Sequence, residues 1–219
     1  MTAVDFDLYL ITDRRSLPPG QDLLATVRAA LRGGVRAVQL REKDLRAAEL
    51  YPLALELRKL TREFAAKLLI NDRIDLALAV DADGVHLGNH SLPVAVVRQL
   101  LGDQRLIGVS AHHLDEVKAA ATAGADFVTF GPVYATPSKL PYGSPLGLSP
   151  LAVASSNAPL PVFALGGVTA ARLPELRGGG CSRIALIGAI LQAVDPEKAA
   201  REILRGLRLK SPPPDPLLG

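Results

Sequence analysis

The stretch GGVRAVQLREK (33–43) contains the pattern that decides the fold. Its two glycines are suited to end a helix, because glycine readily adopts the left-handed backbone conformation found at many helix ends. The apolar run VRAVQL that follows has the length of a buried strand, and charged residues come directly after it. The same order of small residues and then a strand returns in DADGVHL (81–87), AGADFVTF (123–130) and GGCSRIAL (179–186). This weak internal repeat indicates repeated helix–strand units.

Eight short apolar runs fit buried strands. They lie at 8–12, 35–40, 67–71, 84–87, 106–110, 126–130, 161–165 and 183–187. The longer stretches between them carry apolar residues at helical spacing, as in Leu23, Val27, Ala30 and Leu31. We therefore predict eight strands that alternate with eight helices.

Strands joined by crossover helices run parallel, and eight such units in a chain of this length close into a barrel. The predicted fold class is therefore α/β, a (β/α)8 TIM barrel. The alternative is an open doubly wound sheet, which usually carries a GxGxxG turn after its first strand. Here the first strand is followed by TDRRSLPPG (12–20), which favours the barrel.

Composition limits the classes of protein that this chain can belong to. Of its 219 residues, 48% are hydrophobic and 21% charged, which suits one compact domain over residues 1–209. The Pro-rich tail KSPPPDPLLG (210–219) cannot continue a helix, and we expect it to be disordered. The net charge of +3 is scattered, so we expect no nucleic-acid partner.

Neither the cysteine content nor the hydrophobic segments point to export. Cys181 is the single cysteine, so no internal disulfide is expected, and prolines interrupt the longest uncharged stretch, 140–171. The first 15 residues lack the pattern of a signal peptide. We expect a cytoplasmic protein without a membrane segment.

In a TIM barrel the chemistry lies at the C-terminal ends of the strands. Strand 2 runs into QLREK, and residues two apart in an extended chain share a face, which places Gln39, Arg41 and Lys43 together. Two converging cations suit a phosphate-like dianion. The alternative is a solvated strand end whose cations point to water.

Strands 3 and 5 end in polar residues. Asn71 could bind a phosphate, and Asp72 could bind Mg²⁺, which takes one or two carboxylates together with substrate phosphates. The alternative for Asp72 is the N-cap of the next helix. Strand 5 ends at Ser110.

The loops after strands 6, 7 and 8 suit a second anion. The long segment 131–147 carries one charge, Lys139, with Thr136 and Ser138 beside it, and is either a clamp over an anion or an ordinary surface loop. Gly166, Gly167 and Gly188 open the last two loops, where barrels commonly bind phosphate, although tight turns alone would also use them. Two anion sites on one face suggest the joining of a pyrophosphate-activated compound to a phosphorylated one.

The ordered series LYLITD, QLREK, LLINDRIDLA, ADGVHLG, IGVSAH, FGPVYATPSK and ALGGV resembles thiamine phosphate synthases over about residues 7–208. The superfamily also includes thiazole tautomerases. The resemblance implies a Mg²⁺-dependent transferase that joins hydroxymethylpyrimidine pyrophosphate to hydroxyethylthiazole phosphate and releases pyrophosphate. It also implies that pyrophosphate leaves first and that the thiazole nitrogen captures the resulting cation.

The same resemblance assigns roles to residues. It implies Gln39 near the pyrimidine, Asp72 on Mg²⁺ and Ser110 beside the reacting groups. It places Arg41, Lys43, Asn71 and Lys139 on the pyrophosphate, and the thiazole phosphate among Thr136, Gly167, Ile187 and Gly188. Ser138 and Gly166 stay substrate-binding candidates from the loops themselves. We take Arg41, Lys43, Ser110 and Lys139 as the catalytic residues.

Two positions depart from the family pattern. Ser91 stands where the family has its second magnesium carboxylate, with His90 before it in place of an acid, so the metal site has one charge fewer. Gly188 replaces a serine, although its backbone amide remains. The alternatives are a thiazole tautomerase and a non-catalytic binder of thiazole phosphate or thiamine phosphate. A tautomerase does not bind pyrophosphate and so has no need of the motifs QLREK, ND and PSK, which favours the synthase. Whether the protein forms a homodimer is left open.

Overall fold

The structure of the protein, a computed structural model, describes residues 4–136 and 144–209. Eight parallel strands form a closed barrel in which each strand pairs with its neighbours in chain order and β8 pairs with β1. The predicted (β/α)8 barrel is therefore confirmed. The strands are β1 Leu8–Ile11, β2 Ala37–Leu40, β3 Lys67–Asn71, β4 Gly84–Leu87, β5 Leu106–Ala111, β6 Phe127–Phe130, β7 Val162–Leu165 and β8 Ile184–Leu186.

The helices surround the barrel. They are α1 Leu23–Arg32, α2 Ala47–Glu63, α3 Ile74–Ala79, α4 Val94–Leu101, α5 Leu114–Thr122, α6 Leu148–Asn157, α7 Leu173–Gly178, α8 Gly188–Leu191 and α9 Pro196–Arg208. The prediction of eight helices is corrected to nine within the described residues, because a four-residue helix, α8, follows β8 before α9 begins. None of the described helices is both long and apolar enough to cross a membrane.

Side chains alternate between the inside of the barrel and the layer beneath the helices. Phe6, Tyr9, Phe127 and Phe163 fill the lower interior, where Phe127 and Phe163 meet edge to face with ring centroids 5.3 Å apart. The outward side chains, among them Leu8 and Leu10, join the larger core under the helices. The lower interior of the barrel is therefore filled with packed side chains, and the polar residues at the strand ends lie above them.

Two aspartates anchor the N-terminal end of the barrel in the same way. Asp126 precedes β6, and its Oδ2 accepts hydrogen bonds from the Ile107 N–H of β5 at 2.7 Å and from the Arg98 guanidinium at 2.6 Å. Asp83 precedes β4 and accepts from the Leu68 N–H of β3 at 2.8 Å and from Arg58 at 2.5 Å. Each aspartate thus ties its own strand to the preceding strand and to a helix.

Candidate active site

Gln39 lies on the inward face of β2, beneath the mouth of the barrel. Its side chain is 1% exposed, and its Nε2 donates to the Tyr9 hydroxyl at 3.0 Å. Burial raises the pKa of Tyr9 far above its ordinary value, so the phenol stays protonated. Among the described residues no group donates to the buried Gln39 Oε1. The Gln39 amide is therefore held from one side only, through its Nε2.

Arg41 and Lys43 differ in position and exposure, although the sequence predicts that they share one face. The strand ends at Leu40, so the prediction of one extended face through Lys43 is corrected: Lys43 is exposed in the turn that leads to α2. Arg41 is half-buried, and its backbone N–H donates to the Thr12 hydroxyl at 2.9 Å. The Leu45 N–H donates to the Glu42 carbonyl at 3.3 Å and closes this turn, and the buried Glu42 carboxylate accepts from the Arg14 N–H at 3.0 Å.

Asp72 occupies a strained position at the end of β3. Its φ is 63°, which side-chain-bearing residues rarely adopt, and its N–H donates to the His86 carbonyl of β4 at 2.9 Å. The N-cap of α3 is Arg73, without a side-chain cap hydrogen bond, so Asp72 does not cap that helix. Within the described part of the chain, no hydrogen bond or ion pair involves the Asp72 carboxylate. Asn71 is the last residue of β3 and pairs with His86.

Ser91 lies in a turn that follows β4. Its Oγ accepts from the Gly88 N–H at 2.8 Å, and its own N–H donates to the Gly88 carbonyl at 3.1 Å. Residues 4–136 and 144–209 contain no group of three His, Cys, Asp or Glu side chains that could hold a metal. Magnesium needs only one or two carboxylates when phosphates complete its coordination, so the Asp72 carboxylate could hold this ion.

Ser110 and a residue that sequence reasoning missed, His86, lie side by side. His86 is a buried residue of β4, and its Nε2 is 3.1 Å from Ser110 Oγ. Burial lowers the pKa of His86 to about 3, and the nearby charge of Arg41 lowers it as well, so the ring is neutral. The signal was a single histidine within the apolar run GVHL, which is equally typical of a core residue.

The loops after β7 and β8 bring backbone amides to the same end of the barrel. Gly166 and Gly167 have φ values of 97° and 64°, and a Cβ on Gly167 would lie 2.8 Å from Tyr134 Cβ. Arg172 donates to the Gly167 carbonyl and stacks on the Tyr134 ring at 4.2 Å, which holds the loop in place. Ile187 is the N-cap of α8 and Gly188 its first residue, and the first N–H groups of a helix have no partner within it.

The barrel thus brings most of the predicted site residues to one end. Gln39, Arg41, Asn71, Asp72 and Ser110 belong to β2, β3 and β5 or directly follow them, and the glycine loops follow β7 and β8. Thr136 ends the described part of the loop after β6. The predictions for Ser138 and Lys139, like the predicted tail 210–219, lie outside the described residues.

Comparisons with known proteins agree with this arrangement. Residues 8–190 match the family model described as thiamine monophosphate synthase. A Geobacter sulfurreducens protein, provisionally named a thiamine-phosphate synthase, is 56% identical over 93% of this chain and 95% of its own length. A Desulfitobacterium hafniense thiamine-phosphate synthase is 42% identical over 92% of this chain and 97% of its own.

A solved structure supports the same relation. Thiamine phosphate pyrophosphorylase from Pyrococcus furiosus superposes with a TM-score of 0.83 at 37% identity, covering 92% of this chain and 95% of that chain. The family match, the relatives and this superposition all extend over the strands that carry the candidate site. The chain belongs to the thiamine monophosphate synthase family.

Proposed function

We propose that this protein joins hydroxymethylpyrimidine pyrophosphate to hydroxyethylthiazole phosphate, forming thiamine phosphate and releasing pyrophosphate. The observation that carries the proposal is that polar side chains of β2, β3 and β5, and the cations that follow β2, lie at the barrel end where the β7 and β8 loops present backbone amides. The residues at the ends of β2, β3 and β5 suit the pyrimidine pyrophosphate, and the backbone amides of the two loops suit the thiazole phosphate. Family membership over residues 8–190 supports this choice of reaction.

In the proposed reaction the residues of the chain stabilise the charge of the leaving group and position the two substrates. Arg41, Lys43 and Lys139 stabilise the negative charge that develops on the leaving pyrophosphate, because cations beside a leaving group lower the energy of the transition state. Gln39 lies beside the pyrimidine, held in place by its hydrogen bond to Tyr9. The loops at Gly167 and Gly188 hold the thiazole phosphate so that the ring nitrogen faces the reacting carbon.

Magnesium belongs to the proposal as a cofactor. Asp72 would hold it with Ser91 as a neutral ligand, and the bound ion would neutralise pyrophosphate charge. The enzyme needs no protein nucleophile: the buried Cys181 precedes β8 at the opposite end of the barrel, and burial raises the pKa of its thiol.

A paired assay tests the function. Purified protein is incubated with both substrates and a range of Mg²⁺ concentrations, and thiamine phosphate and pyrophosphate are measured. The thiazole precursor alone, without the pyrimidine, tests for tautomerisation. We expect both synthase products in equal amounts. Tautomerisation without thiamine phosphate formation, or binding without turnover of either substrate, would contradict the proposal.

The same reaction suits the cytoplasm, where small phosphorylated substrates are retained. A homodimer stays an open part of the proposal, and light scattering of the purified protein measures its mass directly. A mass of about 23 kDa, that of one chain, would contradict the dimer.

A further inference from the structure

His86 lies at the centre of a buried polar cluster in the barrel. Its Nε2 is 3.1 Å from Ser110 Oγ on β5 and 3.4 Å from Thr129 Oγ1 on β6. The ring is 3% exposed and packs beside Tyr9 and Phe127, with centroids 5.8 and 5.9 Å away. Of these residues, only Ser110 is placed beside the reacting groups. The contacts of His86 with its other neighbours therefore matter through the way in which they position His86 against the Ser110 hydroxyl.

Gly108 leaves the space that the ring occupies. It pairs with His86 across β4 and β5, and a Cβ at Gly108 would lie 2.6 Å from His86 Nδ1. Tyr9, Phe127 and the Gly108 backbone thus confine the imidazole on three sides. The ring therefore has a fixed orientation, with Nε2 directed at the hydroxyls.

The unequal environment of the two ring nitrogens indicates where the proton is. Among the described residues, buried Nδ1 has no hydrogen-bond partner, whereas Nε2 has two hydroxyls within reach. A buried N–H without an acceptor is rarer in proteins than a buried acceptor without a donor. The favoured tautomer therefore carries its proton on Nε2 and donates to Ser110 Oγ.

A hydroxyl that accepts a hydrogen bond from one side directs its own proton elsewhere. We propose that His86 is a positioning residue that holds Ser110 with its O–H directed into the mouth, where it donates a hydrogen bond to an acceptor atom of the pyrimidine pyrophosphate. The inference rests on the proposed function and adds to it the direction of the Ser110 hydrogen bond.

The test is a double-mutant cycle with His86→Leu, which removes the donor, and Ser110→Ala. We expect each single change to lower kcat by roughly 5- to 10-fold, the cost of one neutral hydrogen bond, with a smaller change in KM. In the Ser110→Ala background, His86→Leu should cost less than about two-fold. An equal loss from His86→Leu in both backgrounds would overturn the proposal.

His86→Gln supplies a rescue arm, because its amide N–H can still donate to Ser110. We expect it to recover most of the kcat that His86→Leu loses, although both variants disturb the packing of the ring. Equal losses in the two variants, at equal thermal stability, would show that only packing is involved and would overturn the donor role.

A spectroscopic measurement separates this inference from the proposed reaction. Nitrogen chemical shifts of the imidazole distinguish the two neutral tautomers without any substrate. We expect the His86 signal of the Nε2–H form; the Nδ1–H form would overturn the inference. If the native protein makes no thiamine phosphate but shows the Nε2–H form, the proposed function fails while the orientation of Ser110 stands.

Discussion

At the scale of single residues, the exposed turn that carries Lys43 makes this lysine a clean probe of pyrophosphate binding. Lys43→Ala removes a cation without opening the core, so we expect kcat/KM to fall about 100-fold, as for the loss of one transition-state electrostatic contact. Steady-state kinetics measures the change. Lys59→Ala is the matched control, because Lys59 is an exposed cation paired with Glu56 on α2. Unchanged kinetics in Lys43→Ala would contradict the assignment.

Ser91 offers a test of the metal site. Ser91→Asp restores a second carboxylate, and the Asp side chain can still accept from the Gly88 N–H as the Ser91 hydroxyl does. Magnesium should then bind more tightly, so we expect half-maximal synthase activity at a lower Mg²⁺ concentration. Ser91→Ala is the control that removes the hydroxyl without adding charge. A Mg²⁺ requirement that is the same in Ser91→Asp and the native protein would exclude Ser91 from the metal site.

His86 predicts a pH dependence of stability. Its pKa is about 3 in the folded protein because the ring is buried near Arg41, whereas an unfolded chain has the ordinary value of about 6.5. Between these values the unfolded state binds the proton, so the free energy of unfolding falls as the pH falls. From about pH 7.5 to pH 5.0 the loss should reach about 2 kcal/mol.

Urea unfolding of the native protein and His86→Gln at both pH values measures this contribution. The other histidines, His90, His112 and His113, are common to both proteins and cancel in the comparison. We expect the native protein to lose about 2 kcal/mol more than the variant. Equal losses would mean that His86 does not titrate between folded and unfolded states.

At the scale of elements, the loop after β7 should bind the thiazole phosphate. In Gly167→Val a side chain would occupy a φ of 64° and press on Tyr134 and the Ala135 carbonyl, so the amides can no longer approach a ligand. We expect the affinity for thiazole phosphate to fall at least about ten-fold, and the unfolding temperature to fall as well. Calorimetric titration well below that temperature measures the affinity.

Gly178→Val is the control for this change. Gly178 ends α7, and nothing lies within 4 Å of an added Cβ. The control should bind thiazole phosphate normally. Normal binding by Gly167→Val as well would place the phosphate elsewhere.

Most of the elements could be predicted because each strand is a short apolar run bounded by small or charged residues. The predicted limits 67–71 and 84–87 agree with the structure, whereas 35–40 begins two residues early because Val35 is buried before the strand starts. Helix α8 was missed because its four residues, Gly188–Leu191, are too few for a helical period to show.

The site was less predictable than the fold. Inward positions such as Gln39 and Ser110 follow from alternation along a strand. The contact of His86 with Ser110 joins two strands, and the contact of Arg14 with Glu42 joins residues 28 positions apart, so neither leaves a local pattern in the sequence.

At the scale of the whole molecule, one end of the barrel contributes to stability and the other carries the candidate site. Asp126 ties β5, β6 and Arg98 together at the end opposite the candidate site. Asp126→Ala removes a nearly buried partner of Arg98 and of the Ile107 N–H, so we expect a loss of roughly 2 kcal/mol in the free energy of unfolding. KM for both substrates should stay unchanged.

Denaturant unfolding and steady-state kinetics measure the two quantities. Asp115→Ala, at an exposed position in the first turn of α5, is the control and should change stability by less than about 0.5 kcal/mol. A large rise in KM for Asp126→Ala at unchanged stability would contradict this separation of the two ends.

The pairing of β8 with β1 has a consequence for how each copy is made. Leu8 pairs with Ile184, and α9 packs against the end of α1, where Gly33 approaches the Glu197 carbonyl. The barrel therefore cannot close until nearly the whole chain has left the ribosome. At roughly 5–20 residues per second, β1 waits on the order of ten seconds or more for its last partner. The finished barrel hides its strand edges, but during that interval β1 and the newest strand are open to neighbouring nascent chains. Aggregation is therefore expected during synthesis, and chaperone-assisted translation should raise the yield more than added stability would.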